Sequence, residues 1–167
     1  MSENESRPIA VGVDGSPAAR AALRWAVGEA QRRGCRVDAI AVWRSDSGIV
    51  IGALTAEVGM QLTREAIQAG HDAMLEEAVN GLEGAEIRRV LVEGDPRTVL
   101  TEASQEADLL VVGNRGHGLI AEAILGSVSA YCVRHASCPV VVIREAKAEP
   151  EPSSIKPVVP LTPGPLL

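Results

Sequence analysis

Five short apolar runs alternate with segments of helical periodicity along this chain of 167 residues, and this alternation limits the fold more than any other feature. Runs that are apolar throughout are typical of strands in a parallel sheet that helices cover on both faces. With right-handed crossovers, the order βαβαβαβαβ predicts an α/β fold: a doubly wound, five-stranded parallel sheet of strand order 3-2-1-4-5. The predicted strands are Ile9–Val13, Arg36–Trp43, Glu86–Val92, Asp108–Val112 and Pro139–Ile143.

Two of the connecting helices begin at similar turns. Ser16 and Asp95 are suitable N-cap residues, and each precedes a proline, which favours the first helical position. The helix faces expected to be buried comprise Leu23, Ala26, Val27 and Ala30 in the first helix; Val58, Leu62, Ala66, Ala69, Ala73, Met74 and Ala78 in a long second helix from Thr55 to Asn80; and Val99, Leu100 and Ala103 in the third.

The composition indicates one globular domain with an aliphatic core. Hydrophobic residues make up 46% of the chain and aromatic residues only 2%, with no phenylalanine, so an aromatic platform for stacked bases is not expected. Trp25 and Trp43 are predicted to anchor the core. The chain has 16 basic and 22 acidic residues and a net charge of −6, which argues against broad nucleic-acid binding because such binding uses basic patches.

Residues 1–145 are predicted to form the domain, and the proline-rich residues 146–167 to form an extended, mostly disordered tail. The polar stretch Met1–Pro8 does not resemble a secretion signal, and no apolar run approaches the ~20 residues of a membrane span, so no membrane partner is expected. The three cysteines include no C-x-x-C pair, which is typical of free thiols in a reducing compartment. We therefore expect a cytoplasmic protein.

A glycine-rich loop, Gly113–Gly118, directly follows the predicted fourth strand, and a helix begins near Gly126 and Ser127. Glycine lets main-chain N–H groups approach an anion closely, and a helix N-terminus adds unpaired donors and a partial positive charge. Strands one and four are neighbours in the predicted order, so the loops Val13–Ser16 and Gly113–Gly118 meet in one crevice at the carboxyl edge of the sheet. The sequence therefore predicts a site for a phosphate group.

The spacing of these glycines resembles that of the universal stress protein family. Its nucleotide-binding members have the pattern G-x2-G-x9-G-[S/T] after the fourth strand, and this chain matches it with Gly113, Gly116, Gly126 and Ser127. The resemblance covers about residues 7–144. Three further segments look like the family's first-strand aspartate loop, its turn before the third helix and its closing strand: Val13–Ser16, Gly94–Pro96 and Cys138–Val142.

The resemblance implies an α/β domain of the adenine nucleotide alpha hydrolase type that binds ATP, with cyclic AMP as an alternative ligand, and a homodimer through the last strand, Val140–Ile143. Mg2+ would enter with the phosphates of the nucleotide, because no His, Cys or Asp cluster has metal-ligand spacing. By position, the resemblance implies the following binding residues: Gly12, Val13 and Asp14 beside the base and ribose; Val42 with main-chain groups toward adenine; Val112, Gly113, Arg115 and Gly116 around the ribose and phosphates; and Gly126, Ser127, Val128 and Ser129 as donors at the fourth helix.

Each of these residues also has an ordinary structural explanation. Asp14 and Ser127 would cap helices, Arg115 would be a solvated loop charge, and the glycines would form a tight turn. His117 lacks a nucleophile and an acid at recognisable spacing, so general acid–base catalysis is not expected. The phosphate loop G-x4-G-K-[S/T] and the dinucleotide pattern G-x-G-x-x-G are both absent from the sequence.

The function predicted from the sequence is an ATP-binding sensor or regulator of the stress response, rather than a catalyst. Three alternatives stay open: a cyclic AMP-binding member of the family, a slow ATPase of the same fold, and a structural dimer with an empty pocket.

Overall fold

The computed structural model describes residues 6–44, 64–115 and 125–145. Within these residues five strands form one sheet in the order β3-β2-β1-β4-β5, and every neighbouring pair is parallel. The predicted fold class and strand order are confirmed. The elements are β1 (Ile9–Gly12), α1 (Pro17–Arg33), β2 (Val37–Trp43), α2 (Arg64–Val79), β3 (Ile87–Glu93), α3 (Pro96–Ala103), β4 (Leu109–Gly113), α4 (Ser127–His135) and β5 (Val140–Ile143).

The two predicted cap-and-proline turns do begin helices. The Ser16 hydroxyl accepts a hydrogen bond of 3.2 Å from the Ala19 N–H at the start of α1. The Asp95 carboxylate accepts one of 2.9 Å from the Arg97 N–H at the start of α3. Helix α1 ends at Gly34, whose φ of 66° is the left-handed conformation that favours glycine as a C-cap.

Helices α1 and α2 cover one face of the sheet. The four apolar residues predicted to face inward from α1 are all buried. In α2 the predicted face is confirmed only toward its C-terminal end, where Met74 and Ala78 pack against the core. The predicted Ala66, Ala69 and Ala73 are exposed, while Leu75, which was not predicted, is fully buried. The larger side chains remove more apolar area from water than the alanines would, and this determines the rotation of the helix. The remaining residues predicted for this helix face, Val58 and Leu62, lie outside the described residues.

Helices α3 and α4 cover the opposite face. Leu100 of α3 and Cys132 of α4 are buried against strand residues such as Leu110 and Val112. Trp43 is buried as predicted, and Trp25 is half-buried against the core of the first face. The three cysteines are free thiols.

The edge strand β3 is more polar than an apolar pattern predicts, because Arg88 and Arg89 are exposed. Arg88 donates hydrogen bonds to the buried carboxylate of Asp38 in β2. Asp38 was not predicted as a structural residue. Across the described part of the chain, none of the helices has the length and apolar character needed to span a membrane.

Candidate functional site: a cleft at the carboxyl edge of the sheet

A cleft of about 370 Å³ opens where β1 and β4 end side by side. Neighbouring parallel strands whose chains leave in different directions produce such a crevice, and its volume is in the range of small-molecule sites. It is lined by Gly12, Val13, Asp14, Ala19, Ile40, Val42, Pro96, Leu100, Val112, Gly113, Arg115, Gly126, Ser127, Val128 and Ser129.

Eleven of the twelve residues predicted from the sequence line this cleft together. The twelfth, Gly116, lies outside the described residues, as does His117. The structure thus brings the predicted set to one place, while the ligand that each residue would contact stays a prediction.

One wall of the cleft is aliphatic. Ile40 and Val42 of β2, Val112 of β4, and Pro96 and Leu100 of α3 form it. From the sequence, Leu100 was predicted as a core residue and Pro96 as a helix start, and neither was expected at the site. The cap-and-proline turn was the available signal, because it puts the first turn of α3 at the same carboxyl edge as the glycine loops.

The main chain of Val42 faces the β1 side of the cleft. Alternate residues of a parallel strand turn their N–H and C=O groups to opposite neighbours. Ile40 faces β1, since its carbonyl accepts from the Val13 N–H at 2.8 Å, and Trp43 faces β3, since its carbonyl accepts from the Gly94 N–H at 2.9 Å. Val42 therefore turns its N–H and C=O to the β1 side. The pairing of β1 with β2 has already ended there, at Gly12 and Ile40.

A second wall of the cleft is the first turn of α4. Gly126 is the N-cap, with φ −68° and ψ 163° and without a side-chain capping bond, so Ser127 is the first helical residue rather than the cap. The N–H groups of Ser127, Val128 and Ser129 have no acceptor within the helix, and the helix dipole places partial positive charge here. This wall is suited to an anion.

The hydroxyl of Ser129 serves the protein rather than the cleft. It is buried and donates a hydrogen bond of 2.6 Å to the Gly113 carbonyl, which joins the end of β4 to the first turn of α4. One main-chain bond secures the same junction, from the Gly126 N–H to the Asn114 carbonyl at 2.8 Å, and the Asn114 N–H donates to the Ile143 carbonyl at the end of β5 at 2.7 Å. Ser129 can therefore offer a ligand its main-chain N–H.

The loop after β1 is joined to the loop after β4. The Asp14 carboxylate accepts a 2.9 Å bond from the Ser16 N–H, a local turn that is completed by Gly15 with φ 80°. The Ser16 hydroxyl, which caps α1, also donates to the Arg115 carbonyl at 3.4 Å. The two loops that sequence analysis placed in one crevice are thus in direct contact, and the exposed Asp14 carboxylate lines the cleft.

The glycine at position 113 has a packing role that the sequence did not indicate. A Cβ atom there would lie 2.9 Å from the Ala18 carbonyl carbon and 2.9 Å from the Ala19 nitrogen, both in the backbone of α1. At Gly12 a Cβ would lie 3.0 Å from the Leu100 Cδ1, a side-chain atom that can move. Gly113 is therefore required by the close approach of α1, whether or not a phosphate lies nearby.

The groups that line the cleft include main-chain N–H groups, aliphatic side chains and the Asp14 carboxylate. No cluster of three or more His, Cys, Asp and Glu side chains suited to a metal ion occurs in residues 6–44, 64–115 and 125–145. Burial raises the pKa of the Cys132 thiol on α4 to about 11, so it is a neutral core group at physiological pH. The cleft combines an aliphatic wall, a helix N-terminus and one exposed carboxylate, an arrangement that fits a ligand with an apolar ring and an anionic end.

Comparison with known proteins identifies the family. The model of the universal stress protein family matches residues 5–144. A universal stress protein of Mycobacterium tuberculosis is 32% identical over 160 residues, covering 87% of this chain and 49% of the relative, so the chain spans about half the length of the curated relatives it matches.

Two solved structures show the same likeness. The universal stress protein UspA of Lactobacillus plantarum is 31% identical with a TM-score of 0.65, over 85% of this chain and 100% of that protein. A universal stress protein solved in complex with cyclic AMP is 27% identical with a TM-score of 0.54, over 86% of this chain and 100% of that protein. The chain belongs to the universal stress protein family.

Proposed function

We propose that this protein binds an adenine nucleotide, ATP in the first place, in the cleft between β1 and β4 and acts as a nucleotide-responsive regulator of the stress response. The observation that carries the proposal is the pairing of an aliphatic wall with the N-terminus of α4 across one cleft of about 370 Å³. A base packs against an aliphatic wall, and phosphates bind to the N–H groups of a helix N-terminus.

Adenine would lie against the aliphatic wall. Its Watson–Crick edge carries one donor and one acceptor, which match the C=O and N–H that Val42 turns to the β1 side. Leu100 and Val112 would cover the ring by apolar contact in place of the aromatic stacking that this chain lacks. The similar protein solved with cyclic AMP supports an adenine base as the ligand of this fold.

The ribose and phosphates would extend toward α4. The Asp14 carboxylate would accept from a ribose hydroxyl, and the main-chain N–H groups of Ser127, Val128 and Ser129 would donate to phosphate oxygens. The Gly126 N–H, which the resemblance also implied as a donor, already bonds to the Asn114 carbonyl. Arg115, which lines the same cleft, adds a positive charge at this end. Mg2+ would be held through phosphate oxygens, with Asp14 as the carboxylate of the cleft that could reach its water ligands.

ATP is preferred over cyclic AMP because Arg115 and the main-chain N–H groups of Ser127, Val128 and Ser129 line the cleft, a set of donors that can serve more than one phosphate group. Catalysis is not part of the proposal, since among the described residues that line the cleft Asp14 alone has a side chain that could act as a general base at neutral pH. We also propose a cytoplasmic homodimer through β5, whose four residues are only half-buried in one chain.

Calorimetric titration with ATP and cyclic AMP tests the proposal, with Ser127→Asp as the site variant. A carboxylate in the first turn of α4 favours the helix, yet it repels phosphate from the cleft that Ser127 lines. We expect weaker ATP binding by at least about tenfold with an unchanged fold. Thr98→Asp places the same charge in the first turn of α3, outside the cleft lining, and should bind almost as well as the wild type.

Two results would contradict the proposal. One is a wild-type protein that binds neither nucleotide and gains no thermal stability from either, which favours a structural dimer with an empty pocket. The other is steady release of ADP that is lost on Asp14→Ala, which makes the protein an ATPase. Native mass spectrometry of freshly purified protein reports bound nucleotide and subunit number together.

A further inference from the structure

A continuous row of side chains connects α3 to α4 outside the cleft. The Asp95 carboxylate accepts two bonds from the Arg97 guanidinium, from Nε at 3.1 Å and from Nη2 at 2.9 Å. The guanidinium carbon of Arg97 lies 5.8 Å from the centroid of the Tyr131 ring, a cation–π distance. The Tyr131 ring in turn stacks on His135, with centroids 4.0 Å apart and planes inclined by 21°.

The two helices in this row both contribute residues to the lining of the cleft. Arg97 directly follows Pro96, which lines the aliphatic wall. Tyr131 lies one helical turn after Ser127 and Val128, which line the cleft from the first turn of α4. The contact between Arg97 and Tyr131 therefore joins the walls at a position next to the ligand space but outside it.

Asp95 and Arg97 in this row each stabilise the charged form of the other. The Arg97 hydrogen bonds lower the pKa of Asp95 to about 2, and the same carboxylate raises the pKa of Arg97. The charge of Arg44 opposes this effect on Arg97, and the contribution of Asp95 is the larger one. The ion pair thus stays charged at any physiological pH, and it fixes the guanidinium in front of the only tyrosine of the chain.

We propose that Asp95, Arg97 and Tyr131 form a clasp that sets the separation of α3 and α4 and so slows the release of nucleotide from the cleft. The statement about nucleotide rests on the function proposed above, whereas the statement about the helices does not. In this account Arg97 is a positioning residue, since it acts on the ligand through the two helices it joins.

Stopped-flow release of a fluorescent ATP analogue tests the clasp. An exposed cation–π contact corresponds to a change of about two- to fivefold, so Arg97→Ala should release the analogue faster by about that factor with little change in association rate. Tyr131→Leu should have the same effect, while Tyr131→Phe keeps the ring and should behave as the wild type. The double variant Arg97→Ala/Tyr131→Leu should release no faster than either single variant.

Two variants control for loss of an ion pair or of a helix cap. Arg32 donates two bonds to Glu29 on α1, far from the cleft lining, so Arg32→Ala removes a comparable exposed pair and should leave release unchanged. Asp95→Ser keeps an N-cap acceptor but loses the paired bonds to Arg97, so it should release faster if the orientation of the guanidinium matters.

A measurement without ligand separates this inference from the proposed function. Hydrogen exchange of the α4 amides from Ala130 to His135 should be faster in nucleotide-free Arg97→Ala than in the nucleotide-free wild type, and unchanged in Arg32→Ala. Unchanged α4 exchange in Arg97→Ala overturns the clasp, whether or not ATP binds. Faster exchange combined with wild-type release of the analogue overturns the effect of the clasp on nucleotide release. A wild-type protein that binds no nucleotide overturns the proposed function, and the exchange result then still decides whether the clasp exists.

Discussion

Gly113 lies so close to Ala18 that a Cβ atom at position 113 would be 2.9 Å from the Ala18 carbonyl carbon. The contact places the first turn of α1 against the end of β4, beside the cleft. A glycine that sequence analysis connected with phosphate is thus also needed to let a helix approach a strand.

The first prediction concerns this contact. Gly113→Ala should lower the free energy of unfolding by about 1–3 kcal/mol, because the added methyl group meets backbone rather than a movable side chain. Urea unfolding measures the change. Gly28→Ala is the matched control within α1, since its nearest contact would be an ordinary 3.9 Å to the Arg32 guanidinium, and it should stabilise by up to about 1 kcal/mol. Equal midpoints for Gly113→Ala and the wild type would show that α1 moves freely at this point.

The second prediction concerns the buried carboxylate of β2. Asp38 is 6% exposed and accepts from the Arg88 Nε at 2.9 Å, the Arg88 Nη2 at 2.6 Å and the Arg36 Nε at 3.2 Å. Arg88→Ala should cost about 2 kcal/mol of unfolding free energy, less than for a fully buried pair because Arg36 remains. Asp38→Ala should cost less, since the exposed arginines it leaves behind can be hydrated.

A double-mutant cycle measures the coupling of Asp38 and Arg88 by urea unfolding. The double alanine variant should be about as stable as Asp38→Ala alone, because Arg88 contributes mainly by neutralising the buried charge. Strictly additive losses would contradict this account and show that Asp38 and Arg88 contribute independently.

The alternation of apolar strands and helices predicted a doubly wound parallel sheet, because right-handed crossovers leave few arrangements for five such strands, and the expected order 3-2-1-4-5 is the one that the structure has. The cleft residues were predicted for a related reason: loops that follow neighbouring strands of a parallel sheet must meet at its carboxyl edge. The family resemblance then supplied individual positions such as Val42 and Val128, which the pattern alone did not single out.

Long-range contacts account for what the sequence did not show. Rotation of α2 toward Leu75 instead of Ala73 depends on which side chains the sheet can bury, and not on their spacing. The Ser129 hydroxyl donates to the carbonyl of Gly113, which lies 16 residues earlier in the chain, at the end of β4. The contact of Arg97 with Tyr131 joins two helices, so the local pattern of each contains no sign of it.

The last prediction concerns the thiols. Burial raises the pKa of Cys132 from the ordinary 9.0 to about 11, and it also raises the pKa of the half-buried Cys35 and Cys138. At pH 8 the thiolate fraction of Cys132 is on the order of 100-fold below that of an ordinary thiol, and its full burial also blocks access. Alkylation with iodoacetamide, mapped by mass spectrometry, should therefore label Cys35 and Cys138 well before Cys132.

The same burial makes stability depend on pH in the alkaline range. The folded state holds the Cys132 proton more tightly than the unfolded state, so this contribution is complete below pH 9 and is lost as the pH rises toward about 11. Urea midpoints should fall across that range, and they should fall less in Cys132→Ala, which has no proton to lose at this position. An equal alkaline loss in the variant and the wild type would assign the effect to other groups, and early alkylation of Cys132 in native protein would show that α4 opens readily.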